Sequence, residues 1–144
     1  MQCEERNPLE CCLFFTANSL ARVISKMGEE EFAVVGMSPS YAFLLSLVVD
    51  RPGISQKEVA EILNMAPSTV SRFVETLERR QLLFKDGQGR STFLHPTEAG
   101  IALRPQIARA WENLYHRYSN ILGRNQGDTL TRLTAEASRR LQQE

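Results

Sequence analysis

Ser68, Thr69, Ser71, Arg72 and Glu75 place short hydrogen-bonding groups, one cation and one anion within eight residues of each other. Set along one side of a helix, such groups can enter a major groove and exchange hydrogen bonds with base edges and phosphates. A helix packed only for stability has no use for that small polar surface. Pro67 heads the group, and Lys85 and Arg90 follow as long cations able to reach phosphate oxygens. Arg90 stands at a glycine-rich turn, from which a guanidinium can extend into a narrow minor groove. Arg79 and Arg80 read as surface charges.

Other residues with chemistry to offer are few. Cys11 and Cys12 are adjacent, and Cys3 is the third cysteine. A thiol at a helix N-terminus gains thiolate character, yet no spacing here makes a metal site or a disulfide framework. His95 and His116 are isolated from each other and from the cysteines. No Ser/His/Asp set, paired carboxylates or phosphate-cradling glycine loop is present. The expectation is a protein that is not an enzyme and needs neither cofactor nor metal.

The elements that must position Ser68 to Glu75 can be read from Ile54 to Leu77, ISQKEVAEILNMAPSTVSRFVETL. Ser55 caps a helix from Gln56 to Leu63, with Glu58 completing a capping box. Ala60 is small where two helices approach. Asn64 suits a left-handed turn, and Pro67 fits the first turn of a second helix running to Gln81. Val59, Leu63, Met65, Val70, Phe73, Val74 and Leu77 supply the inward face. Upstream, residues 9–32 read as a helix striped by Leu13, Ala17, Leu20, Ile24 and Met27. Ser38 and Pro39 open another, which Pro52 and Gly53 stop. Downstream the period changes: LLFKD and RSTFL read as two strands around a glycine-rich turn. Thr97 then caps a long helix kinked near Pro105 and striped by Ile107, Trp111, Leu114, Tyr118 and Ile121, nearly a 3.5-residue repeat. A last helix carries Leu130, Leu133, Ala137 and Leu141.

A helix-turn-helix followed by a hairpin is a winged helix. The expected fold is mainly α with an α+β winged-helix unit, a two-stranded wing and terminal helices for pairing. Residues 1–144 form one domain, with 38–97 as the winged unit and 9–32 and 98–142 as pairing helices. The terminal stripes are too apolar for solvent and predict a homodimer.

Charge is locally informative. Seventeen basic and seventeen acidic residues cancel overall, but residues 1–50 hold three basic and seven acidic groups, and residues 51–90 hold seven and five. Phosphate binding by the positive segment should therefore be salt-sensitive. The N-terminus is acidic, unlike a secretory leader, and the longest apolar runs are too short to span a bilayer. A cytoplasmic protein without membrane partners is expected.

The layout resembles the MarR family of multiple-antibiotic-resistance regulators over about residues 10–142. The resemblance is carried by STVSRFVETLERRQLL and FKDGQGRSTFLHPTEAG. Arg90, Thr97 and Gly100 match the wing motif of that family, while Gln88 replaces its aspartate and Pro96 its leucine. The resemblance implies a homodimer on a pseudo-palindromic double-stranded DNA operator, acting as a repressor or an activator, with repression the expected role. It also implies release by a small aromatic or phenolic effector bound between the pairing and DNA-binding regions. One branch of the family senses hydroperoxides through a cysteine in a context similar to Cys12-Leu13-Phe14-Phe15. Cys12 or Cys11 would serve here, with Tyr41 in the place of one of that branch's two thiol-contacting tyrosines and Ser38 in the place of the other. The competing reading from another class is a winged-helix interaction module that binds protein and not DNA.

Overall fold

The computed structural model describes residues 7–87 and 91–144. A short 3-10 turn, Pro8–Cys11, precedes α1 (Leu13–Phe32), and a second turn, Ala33–Val35, leads to α2 (Pro39–Asp50). Then come β1 (Ile54–Ser55), α3 (Gln56–Leu63), α4 (Pro67–Arg79), β2 (Leu83–Asp86) and β3 (Phe93–Pro96). The chain ends with α5 (Glu98–Ala102), α6 (Arg104–Leu122) and α7 (Arg124–Leu141).

The core lies where α2, α3, α4 and the sheet meet. Leu44, Leu45 and Val48 of α2, Val59 of α3, and Val70, Val74 and Leu77 of α4 are fully buried with Leu83 and Leu94 of the strands. Their spacing in α4, four then three, gives one inward stripe and leaves the opposite side to polar groups.

The expected winged helix is present, with three differences of detail. The sheet has three antiparallel strands in the order β1-β3-β2, with Ile54 opposite Leu94 and Lys85 also opposite Leu94 from the other side. The added strand is two residues long, and pairing with β3 defines it. The expected long fifth helix is two helices, α5 and α6, broken at Leu103, and Pro105 sits in the first turn of α6. Proline has no N–H to continue the α5 ladder, so it starts a helix here and kinks none. The first helix starts at Leu13: Cys12 is its N-cap with extended backbone, φ −98° and ψ 118°.

The terminal helices are sparsely covered by the rest of the chain. Among the described residues α1 buries only Gly28 and Phe32, and α7 only Gly127. Leu13, Phe14, Val23, Ile121, Leu133 and Leu141 are exposed. The α6 stripe divides: Ile107, Ala110 and Leu114 pack into the chain's own core, while Ile121 does not. Arg117 of α6 holds α1 through Glu30 at 2.7 Å and Glu31 at 3.2 Å. The hydrogen bond to Glu30 is the main cause pushing the Arg117 pKa up. Among the described residues no single helix is long and apolar enough to cross a membrane.

Candidate nucleic-acid interface

The turn between α3 and α4 sets the angle at which α4 leaves the core. Ser55 caps α3 by accepting from the Glu58 N–H at 3.1 Å. At the other end Asn64 takes the left-handed conformation, φ 52° and ψ 46°. The Met65 N–H then reaches back to the Ala60 carbonyl at 3.0 Å. That is a Schellman closure, in which the left-handed residue lets the following N–H satisfy an orphan carbonyl. Pro67 starts α4 one turn later.

The far end of α4 closes in the same way. Gln81 has φ 59°, and the Leu82 N–H donates to the Leu77 carbonyl at 3.0 Å. The helix therefore stops at Arg79, two residues short of the sequence expectation. Thr97 fastens this corner to the next helix. Its hydroxyl donates to the Gln81 carbonyl at 2.7 Å and accepts from the Gly100 N–H at 3.1 Å. A Cβ on Gly100 would collide with the Leu82 carbonyl oxygen, so only glycine allows α5 this close. Arg80, expected as a plain surface charge, donates to the Gly36 carbonyl at 3.0 Å and ties the end of α4 to the turn before α2.

What this frame presents is the first half of α4. Pro67, Ser68 and Arg72 are exposed, and Thr69 and Ser71 are half-buried on the flanks of the same face. Among the described residues Arg72 forms no ion pair, so its guanidinium is available to an incoming anion. Arg79 differs: it donates to the Thr76 hydroxyl at 3.2 Å. Lys85 is engaged as well, its ammonium 3.5 Å from one Glu78 oxygen while its N–H donates to the other at 3.0 Å. It lies beside α4 on β2 with its charge already balanced. Arg90 and Gln88 lie outside the described residues.

The thiol candidates sit at the head of α1. Cys12 is an exposed free cysteine, and Cys11 is disulfide-bonded. Tyr41 is half-buried in α2, its ring stacked on Phe73 of α4 with centroids 4.1 Å apart and planes at 17°. Among the described residues no group of three or more His, Cys, Asp or Glu could hold a metal.

A small pocket that sequence reasoning did not find opens between α1, α2 and α6. It is about 360 Å³ and is lined by Phe43, Trp111, Pro39 and Glu29 among others. Trp111 stacks on Phe43 with centroids 4.0 Å apart and meets Phe32 edge-on at 4.5 Å. The residues come from distant parts of the chain, and the spacing of each helix alone reads as core.

Residues 44–83 match the winged helix-turn-helix DNA-binding family. Among curated proteins none matches the sequence. Solved structures are similar over nearly the whole chain. The PcaV transcriptional regulator from Streptomyces coelicolor, in complex with its natural ligand, shares 22% identity at a TM-score of 0.81, over 93% of this chain and 96% of its own. CouR from Rhodococcus jostii RHA1, bound to p-coumaroyl-CoA, shares 19% identity at a TM-score of 0.76, over 94% and 95%. A putative MarR family regulator from Listeria monocytogenes, complexed with 26mer DNA, shares 22% identity at a TM-score of 0.73, over 90% and 89%. The chain carries a winged helix-turn-helix within the fold shared by MarR-family transcriptional regulators.

Proposed function

We propose that this protein is a sequence-specific DNA-binding transcriptional regulator. It acts as a cytoplasmic homodimer, represses from a pseudo-palindromic operator and is released by a small aromatic or phenolic effector. The observation that carries the reading is the outward face of α4: Ser68, Thr69, Ser71 and an Arg72 without an ion pair among the described residues, aimed by two left-handed helix stops. The same fold in the Listeria protein is complexed with DNA, and the PcaV and CouR structures hold ligands. Two copies would set their α4 helices into successive major grooves about one helical turn apart. On each wing Arg90 would reach the adjoining minor groove, favouring A·T-rich flanks where that groove is narrow. Exposed apolar residues on α1, α6 and α7 support pairing of the terminal helices.

Selection from a random duplex pool followed by a salt titration tests the DNA reading. A regulator of this kind loses affinity steeply as salt rises, because bound cations release counterions from the phosphates. Enrichment of no sequence, or binding indifferent to salt, would place the protein among winged-helix interaction modules instead. Sedimentation tests the pairing: a species of 16.3 kDa alone at micromolar concentration rules out the dimer.

A thiol-responsive form of the same reading rests on the exposed Cys12 at the N-cap of α1. Hydroperoxide should then release DNA from the parent and not from Cys12→Ser. Equal release from both removes it.

A further inference from the structure

The pocket between α1, α2 and α6 joins aromatic rings, hydroxyls and one carboxylate in its described lining. Its volume, about 360 Å³, suits one aromatic ring with a short tail. The stacked Phe43 and Trp111 form an aromatic wall. Ser38 and Ser40 add hydroxyls from the head of α2, and that of Ser38 makes no capping bond. Among the described residues Glu29 is the one ionisable residue in the lining, and no lysine or arginine joins it. Arg117 is taken by Glu30 and Glu31, and Lys26, one turn back on α1, forms no salt bridge with Glu29 among the described residues. Among the described residues Glu29 has no ion pair.

A carboxylate in a lining walled by aromatic rings attracts a cation by direct Coulomb attraction, and the ring quadrupoles favour the same sign. A ligand carboxylate would meet the same Glu29 as a like charge. The head of α2 opposes this preference with its positive dipole end. That end amounts to roughly half a charge, against the full charge of Glu29. With the serine hydroxyls it suits a neutral phenol oxygen.

We propose that this pocket binds a protonated aromatic amine, one ring with a short ammonium-bearing tail, in preference to the matching carboxylate. The proposal gives the effector a charge class and rests on the regulator reading for its consequence on DNA.

The test uses the full chain and three phenols with the same two-carbon spacer and different end groups: tyramine, 4-(2-hydroxyethyl)phenol and 3-(4-hydroxyphenyl)propanoate. Trp111 is the sole tryptophan, so its fluorescence reports occupancy without DNA. Tyramine should bind about ten-fold more tightly than the propanoate, with the neutral alcohol between them. Glu29→Gln should abolish the preference, and Glu29→Lys should reverse it. Glu29 is exposed, and circular dichroism checks that both variants keep the fold. Equal or tighter binding of the propanoate overturns the proposal. So does no quenching by any probe up to about 10 mM, or a preference that survives in Glu29→Gln. Release of bound DNA by tyramine is read separately. Quenching without release supports the pocket's charge selectivity and refutes only its role in regulation.

Discussion

Replacing Arg72 with alanine removes a guanidinium that the fold leaves exposed and without an ion pair among the described residues. The carbonyl of Arg72 accepts from the Thr76 hydroxyl at 3.1 Å, and alanine keeps that bond. The side chain is exposed, so the melting temperature should hold while DNA affinity falls. If Arg72 forks onto a guanine edge, each half-site loses about 1–3 kcal/mol. A dimer loses two such contacts, about 2–6 kcal/mol, which at 1.4 kcal/mol per decade is roughly 30-fold to 10⁴-fold in affinity. If it contacts phosphate alone, the loss is uniform across operators and the salt slope falls by about 0.9 for each copy. Fluorescence anisotropy on an operator series, repeated at several salt concentrations, separates the two. Arg79→Ala is the matched control, because Arg79 is exposed on the last turn of α4 and already donates to Thr76. An Arg72→Ala protein with parental affinity, base preference and salt slope would show that α4 does not read DNA, and the interface argued from it would fall.

Two further substitutions test the frame that aims α4. Gly100→Ala puts a methyl group against the Leu82 carbonyl and should cost about 1–3 kcal/mol, as overpacked positions do; an unchanged melting temperature contradicts that close approach. Gln81→Gly should not lower stability, since glycine accepts φ 59° without strain, whereas Gln81→Val should lower it by about 1–2 kcal/mol. Denaturant unfolding of both Gln81 variants checks the sign, and equal stability would deny the left-handed stop.

The parts of the frame legible in the sequence are those decided locally. Ser55, Asn64 and Pro67 each act on backbone groups within a few residues, and each takes the expected role. Gln81 was illegible for the same reason in reverse: glutamine has no preference for a left-handed backbone, and the stop is imposed by burial of Leu82 beneath it. Periodicity located the apolar face of α6 but not what covers it, so Ile107 and Leu114 looked like pairing residues and are core. The contacts of Arg80 with Gly36 and of Lys85 with Glu78 depend on where separate segments meet. No spacing rule carries that information. The aromatic pocket was missed on the same ground, since Glu29, Phe43 and Trp111 converge only in three dimensions.

The position of α2 bears on how occupancy of that pocket could reach DNA. Its first turns carry Ser38, Pro39, Ser40 and Phe43 to the pocket, while Tyr41 between them stacks on Phe73 of α4. One helix therefore touches both the proposed effector and the proposed recognition helix. A stacked aromatic pair contributes about 0.5–1.5 kcal/mol beyond area burial, which bounds what this contact alone can transmit at about ten-fold. Two copies double the free energy to about 1–3 kcal/mol, a bound of about a hundred-fold. Allosteric couplings are usually about 1–3 kcal/mol, so loss of the Tyr41–Phe73 contact in both protomers is enough on its own scale. Arg80 works against independent motion, because it ties the end of α4 to Gly36 just ahead of α2. An effector that shifts the head of α2 must then either break the ring stack or carry α4 with it. Because α4 is anchored at both ends by helix stops and by Thr97, the second course moves the winged unit as a body. In the proposed homodimer, rotating the unit would change the spacing of the two α4 helices without unfolding either one, and a change of spacing is what a two-fold operator resists.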